Sequence, residues 1–309
     1  MSSPFLDAIR EDIRLRGYSI KTEKSYIHWI KQYIYFNGKK HPKEMGASEV
    51  RAFLSMLANK RNVAINTQKC ALNAVVFMYH KHLGIELGNL GFTLAQKQRV
   101  LPTVLSPSEV KKILDNLEGR DRLIVEIMYG SGLRVSECLR LRVQDLDFER
   151  GSLTIRDGKG HKDRQTILSS KLIPALRDRV RDAIALQKDD NEHGFGCSPP
   201  YALGRKFPHA HRSPGWAFIF PSTGYCKHPV TGITCRHHLH ATVIRKALKR
   251  AKNRAHIYMK RVTCHTFRHS FATHMLSAGA DIRTVAVPAH PCAHGIRTSM
   301  CSTRAYGTQ

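Results

Sequence analysis

The sequence predicts a mainly α fold with a small β-sheet, in two parts: an N-terminal helical domain over residues 1–84 and a mixed α+β domain over residues 106–309. Three observations predict it. Apolar residues recur at helical spacing through residue 84. Residues 85–105 hold glycines and a proline without any period and read as a linker. The remainder alternates helical patterns with one short hairpin pattern. With 309 residues, 42% apolar and 24% charged, the chain suits two globular cores and excludes a disordered or collagen-like chain.

In the first part, Thr22 is placed to cap a helix carrying Tyr26, Trp29, Ile30, Tyr33 and Ile34, and Asn37-Gly38 supplies its stop signal. Ser48 is placed to cap a second helix with Val50, Phe53, Leu54 and Leu57. A third carries Leu72, Val75, Val76 and Tyr79 and ends near Gly84. The opposite faces accumulate Lys21, Lys24, Lys31, Lys39, Lys40, Arg51, Lys60, Arg61 and Lys69. Solvated charge explains any one of these; their one-sided accumulation points to a backbone-phosphate surface.

The linker ends in a helix-start signal, with Ser106 as cap, Pro107 at the first helical position and Glu109 closing a capping box. Helices are expected over 107–116, 121–130 and 134–141. A hairpin follows, with Leu153 to Ile155 and Gln165 to Leu168 flanking the turn Asp157-Gly158-Lys159-Gly160. Another helix carries Leu172, Ile173, Leu176 and Val180. Residues 187–216, rich in Gly, Pro and His, read as an insertion, and Phe218-Ile219-Phe220 forms a short apolar run. A basic helix spans 241–254, with Val243, Ile244, Ala247, Leu248 and Ala251 inward and Arg245, Lys246, Lys249, Arg250 and Lys252 outward. No internal repeat is visible.

Charge is the largest compositional fact: 50 Lys+Arg against 24 Asp+Glu, a formal net of +26. Such a field attracts polyanions, of which nucleic acid is the commonest in a cell; ribosomal partners and anionic lipid fit the same balance. No apolar run approaches the ~20 residues that span a bilayer. The N-terminus carries Asp7 among its apolar residues and lacks a signal-peptide core. Eight scattered cysteines without a CxxC pair read as reduced thiols, so a cytoplasmic location is expected.

Three places hold candidate chemistry. Tyr129 to Glu137 sets Arg134 just after a glycine-rich turn at a helix start, where backbone N–H groups, the helix dipole and a planar guanidinium all favour a phosphate; a surface salt bridge fits the same residues. His265 and Arg268 lie three apart and share one helix face, with Phe267, Phe271 and Met275 on an adjacent anchoring stripe; a structural histidine fits equally. Lys159 sits between glycines at a hairpin tip, either reaching a ligand or simply solvated.

Together and in this order, these segments resemble the tyrosine recombinases (phage integrases), and among them the integron integrases. The resemblance runs from about residue 4 to Val285 and rests on GSGLR ending at Arg134, LRVQDLDF (Leu141 to Phe148), GKG around Lys159, and TCHTFRHSFATHMLSAGADIRTV (Thr263 to Val285). The segment before Phe218 resembles the extra segment that distinguishes integron integrases from phage-type relatives. The resemblance implies a SAM-like core-binding domain followed by a catalytic domain, clamped about DNA. It implies gene-cassette recombination by strand breakage and rejoining through a 3′-phosphotyrosyl link, with neither ATP nor metal. Arg134, Lys159, His265 and Arg268 match the family's catalytic arginine, lysine, histidine and second arginine. The implied DNA-binding side chains are Lys21, Lys24, Lys31, Lys39, Lys40, Lys246, Lys249 and Arg250. The implied substrates include folded single strands with extrahelical bases, for which Phe195, Tyr201, Phe207, His209, His211 and Trp216 offer stacking surfaces or merely pack the insertion.

After Val285 the resemblance ends. The family continues with a Leu-Gly-His turn, a helix bearing the nucleophilic tyrosine, and a tail that packs on a neighbouring protomer. This chain reads AVPAHPCAHGIRTSMCSTRAYGTQ over 286–309. The second histidine is expected at about position 291, which is Pro291, with His290 one place early. The tyrosine is expected at about position 300, which is Met300; Tyr306 is the last tyrosine. Pro288 and Pro291 oppose a helix here. These departures predict a reading-frame shift near codon 286, a copy without its nucleophile, and weakened self-association. Tyr306 and His290 remain as displaced candidates. Cys226, His228, Cys235, His237, His238 and His240 are residue types zinc accepts, but their spacing matches no recognised finger or knuckle, and no metal is assigned.

Overall fold

The computed structural model describes residues 3–91, 101–156, 163–198, 206–207, 209–228, 231–280 and, for the backbone alone, 287–288. The chain divides into two units, Met1–Val100 and Leu101–Gln309.

The first unit is helical. Helix α1 (Pro4–Leu15), for which no helix was expected, starts on a proline and buries Leu6, Ile9 and Ile13 at helical spacing. Helix α2 (Ile20–Phe36) buries Ile27, Ile30 and Tyr33. Its cap is Ser19, whose hydroxyl accepts from the Thr22 N–H at 3.1 Å, so the capping assigned to Thr22 falls three residues early, on the other hydroxyl available. Helix α3 (Ala47–Ser55) likewise starts before Ser48. Gly46 is its cap, and the Glu49 carboxylate accepts the Gly46 N–H at 2.7 Å. Ser48 is exposed and donates to that same carboxylate. Wider π-type turns extend α3 over Met56–Lys60 and helix α4 (Ile65–Val76) over Phe77–Leu83, ending at Gly84 with φ 68°. Inside, the Tyr33 hydroxyl meets that of Tyr79 at 2.9 Å, and Tyr79 donates to the Pro42 carbonyl at 3.0 Å. Two buried phenols are thereby satisfied.

The second unit opens on α5 (Pro107–Leu114), where Ser106 and Glu109 form the expected reciprocal box. It continues through α6 (Gly119–Gly130) and a short α7 (Val135–Leu139). The last is five residues rather than the eight expected over 134–141, because Arg134 is its extended cap and Arg140 already its C-cap. Strands β1 (Leu146–Asp147), β2 (Ser152–Ile155) and β3 (Arg164–Ile167) form an antiparallel meander, Leu153 facing Thr166. Helix α8 (Ile173–Glu192) follows one 3-10 turn holding Leu172 and runs six residues into the segment read as insertion. A second hairpin, β4 (Pro221–Lys227) with β5 (Thr234–His238), was not expected from the sequence. Helix α9 (Ala241–Arg254) keeps the expected bounds and buries Ile244, Ala247, Leu248 and Ala251. Helix α10 (Cys264–Ser277) buries Phe267 and Phe271. The backbone of β6 (Val287–Pro288) pairs with β3 at the sheet edge, where a proline is tolerated, giving the order β1-β2-β3-β6. One apolar core joins α5, α6, α7, the first sheet, α9 and α10.

Candidate active site

The turn between α6 and α7 is seated on α10. Gly132 takes φ 62°, and a Cβ there would stand 2.5 Å from the Phe271 ring, so both the backbone and the neighbouring ring demand glycine. With the turn pressed against the helix, the Arg268 guanidinium, one turn before Phe271, donates to the Gly132 carbonyl. The Ser131 carbonyl accepts from Thr166 Oγ1 at 3.0 Å, tying the same turn to β3.

Around this anchor three arginines meet one carboxylate. Glu137, in the first turn of α7, accepts the backbone N–H of Arg134 at 2.8 Å and its Nη1 at 2.6 Å. It also accepts both terminal nitrogens of Arg164, at 2.7 and 3.1 Å. Arg268 Nη1 lies 3.7 Å from Glu137 Oε2. Burial alone would raise the Glu137 carboxyl; the bonds from Arg164 and Arg134 outweigh it and hold the pKa at about 2. Burial, then the charge of Arg134, lowers the Arg268 guanidinium from its usual range, and a guanidinium stays protonated even so. The cluster therefore carries three positive charges and one negative. Arg134 and Arg268 each leave a third of the side chain open (32% and 33%), whereas Arg164 is tucked in at 17%. Two forked cations held by a shared acid and still open to solvent suit a ligand with two adjacent anionic oxygens.

His265 is exposed in the first turn of α10, three residues before Arg268. Lys159, His290 and Tyr306 lie outside the described residues, as does Tyr201; the strands that flank Lys159 in sequence are β2 and β3. The sequence reading missed Glu137 and Arg164 as site residues. The signal for Arg164 was strand alternation, since it shares a face with Thr166, which is buried.

The remaining candidates divide. Lys21, Lys24, Lys39 and Lys40 are exposed and Lys31 is half-buried; Lys246, Lys249 and Arg250 are exposed along α9. Arg51, by contrast, donates to the Leu90 carbonyl at 2.8 Å. Among the stacking candidates, Trp216 lies under the Arg142 guanidinium (5.1 Å), Phe195 packs at a tilt against Tyr225 (ring centroids 4.4 Å apart), and the His211 ring fills the space at Gly196. Phe207 and His209 are exposed. Among the described residues no group of three or more His, Cys, Asp or Glu is arranged to hold a metal ion. His237 bonds Ser198 Oγ at 2.6 Å, His238 meets the Leu239 carbonyl, and His240 caps α9. No helix among the described residues is long and apolar enough to cross a membrane.

Comparison with known proteins places the chain. Residues 103–289 match the phage integrase family and residues 5–89 the phage integrase N-terminal SAM-like domain. An integrase/recombinase of Escherichia coli and one of Pseudomonas aeruginosa are each 45% identical over 282 residues, 91% of this chain and 83% of the relative. The tyrosine recombinase XerA of Pyrococcus furiosus is 29% identical over 291 residues, 92% and 84% of the two chains. In fold, the chain is similar to the XerH site-specific recombinase bound to difH substrate (TM-score 0.58, 19% identity, 92% of this chain and 78% of that one). It is similar too to the Tn1549 transposon integrase in complex with circular intermediate DNA (TM-score 0.57, 17% identity, 92% and 90%). Matched across both units and at 45% identity, the chain belongs to the phage integrase family of site-specific tyrosine recombinases.

Proposed function

We propose that this chain is an integron-integrase-type recombinase that holds recombination sites in DNA, folded single strands among them, and that this copy lacks an aligned tyrosine to cut them. The observation that carries the reading is the convergence of Arg134 and Arg268 on Glu137 with both guanidiniums partly open. Arg134 and Arg268 stabilise the charge that builds on the non-bridging oxygens of the scissile phosphate. His265 assists proton transfer and Lys159 protonates the departing 5′ oxygen. In the intact reaction a tyrosine phenolate displaces that oxygen, and the phosphotyrosyl link keeps the bond's energy, so neither ATP nor metal enters. The DNA contacts are Lys21, Lys24, Lys31, Lys39 and Lys40 in the first unit and Lys246, Lys249 and Arg250 in the second; the net charge of +26 supports them. The match to the catalytic family ends at residue 289, which supports the reading that Met300 stands where the nucleophile belongs. Copies of the chain associate on DNA, less firmly than relatives with an unaltered tail.

A nicked recombination-site substrate tests this. The chain retains the DNA with log K falling against log salt at a slope near −0.9Z on duplex or −0.7Z on single strands, Z being the phosphates neutralised, and leaves no covalent adduct on a denaturing gel. Replacing residues 286–309 by the family's tyrosine-bearing tail restores the adduct, and Arg268→Ala abolishes it again. Salt-indifferent binding overturns the DNA reading. An adduct formed by the unaltered chain and lost in Tyr306→Phe overturns the missing nucleophile, and no adduct after tail replacement overturns the assigned catalytic set.

A further inference from the structure

The β4–β5 hairpin carries two cysteines that recombination does not use. Cys226 stands directly opposite Cys235 in the antiparallel register. Opposed residues point to one face with Cα atoms about 4.5–5.5 Å apart, within the roughly 4.4–6.8 Å that a disulfide spans. Both cysteines are free thiols. Their surroundings differ: Cys226 is exposed, Cys235 buried. Burial first, then the neighbouring sulfur, pushes the Cys235 thiol up to about 12. Cys197, also nearby, is spent on the His211 carbonyl at 3.2 Å and on Arg142.

The two strands are held unequally. β5 is pinned on its far side, where the Arg236 N–H donates to the Gly196 carbonyl at 2.8 Å and the Arg236 carbonyl accepts from Ser198 at 2.9 Å. The Arg236 side chain is locked on Asp190. β4 is exposed from Thr223 to Lys227, and its register shifts between Pro221 and Tyr225. Arg236 also donates to the Ser222 and Thr223 carbonyls of β4, and Tyr225 to Asp190, so a covalent bond at this point would join an exposed strand to the one that anchors it.

We propose that Cys226 and Cys235 are a dithiol site for hydroperoxide-class oxidants, which close it into a cross-strand disulfide. Cys226 Sγ attacks one peroxide oxygen; the O–O bond breaks, leaving a sulfenic acid on Cys226 and a hydroxide that takes up the thiol proton as water. Cys235 Sγ then attacks Cys226 Sγ; the S–S bond forms, the S–O bond breaks, and the Cys235 proton leaves with the hydroxyl as a second water. Two thiols lose two electrons and one peroxide becomes two waters. The pairing suits a reducing compartment, where disulfides are transient and signal oxidation.

The full chain, reduced and exposed to hydrogen peroxide, is alkylated and digested with trypsin. The expected product joins peptides 213–227 and 228–236, reverses with dithiothreitol, and forms at least about tenfold faster than any modification of buried Cys138 or Cys264. Cys226→Ser removes the product; Cys235→Ser leaves a sulfenic acid on Cys226 that dimedone traps. Recovery of the two peptides separately, with Cys235 alkylated and Cys226 either alkylated or over-oxidised, overturns the proposal. So does joining that occurs only after unfolding in urea. The wild-type mapping needs no variant to fold, and neither outcome depends on DNA binding or cleavage.

Discussion

Glu137→Gln is the perturbation that most directly tests the arginine cluster. The carboxylate accepts four hydrogen bonds, two from Arg134 and two from Arg164, with Arg268 close by. Its pKa falls from an ordinary 4.5 to about 2 on folding. At about 1.36 kcal/mol per tenfold change, that fall stabilises the folded chain by about 3 kcal/mol at neutral pH. The group's pKa is depressed by folding, so its contribution is complete above the unfolded value and is lost as pH drops through the folded one. Worked through, it is about 3 kcal/mol at pH 5 and about 1.4 kcal/mol at pH 3. Glutamine keeps the shape and removes the charge that three guanidiniums share. For a unit of this size, a loss of about 3 kcal/mol lowers Tm by roughly 6–12 °C. Thermal melts at pH 7, with urea unfolding at pH 5 and pH 3, measure it. A variant within about 2 °C of wild type at pH 7, or a wild-type-minus-variant difference that does not shrink from pH 5 to pH 3, refutes the claim that Glu137 holds the cluster.

Three further perturbations are informative. Gly132→Ala forces a left-handed φ of 62° on a residue with a Cβ and drives that carbon into Phe271; it should cost about 2–4 kcal/mol in urea unfolding, and Phe271→Leu in the same chain should return part of it. Arg236→Met strips the main partner from Asp190, which is 1% exposed; a loss of about 3–5 kcal/mol is expected, and Asp190→Asn added to it should recover stability. Trp216→Ala removes one of the two rings about the Arg142 guanidinium; about 1 kcal/mol is expected from the melting curve.

What the sequence disclosed follows the reach of each interaction. The box at Ser106 and Glu109 and the bounds of α9 were legible because both are written within one or two turns: a hydroxyl three residues from a carboxylate, and apolar residues recurring every three or four. The cap of α2 was misread because Ser19 and Thr22 are chemically alike and three apart. The cap of α3 was misread because Glu49 needs only the N–H of Gly46, not a side-chain oxygen there. The β4–β5 hairpin left no trace in hydropathy. One of its strands is exposed along most of its length, so no apolar alternation arises, and the polar bonds of Arg236, Tyr225 and Asp190 that hold it join residues 35 and 46 positions apart.

The arginine pair shows the same limit from the other side. Read locally, Arg134 admits a salt bridge or a phosphate ligand as alternatives, because each would satisfy the same guanidinium. In the folded chain the two are compatible. The salt bridge to Glu137 takes Nη1 and leaves a third of the side chain open. The same carboxylate takes both terminal nitrogens of Arg164 and lies beside Arg268, contributed by a helix more than a hundred residues later. One buried acid is too little charge to neutralise three cations and enough to align them. The buried acid stabilises the fold, and it also leaves two guanidiniums pre-oriented and under-compensated, an electrostatic demand of the kind a phosphodiester meets. The acid that makes Arg134 look like an ordinary structural residue is therefore also what leaves its guanidinium aligned and under-compensated.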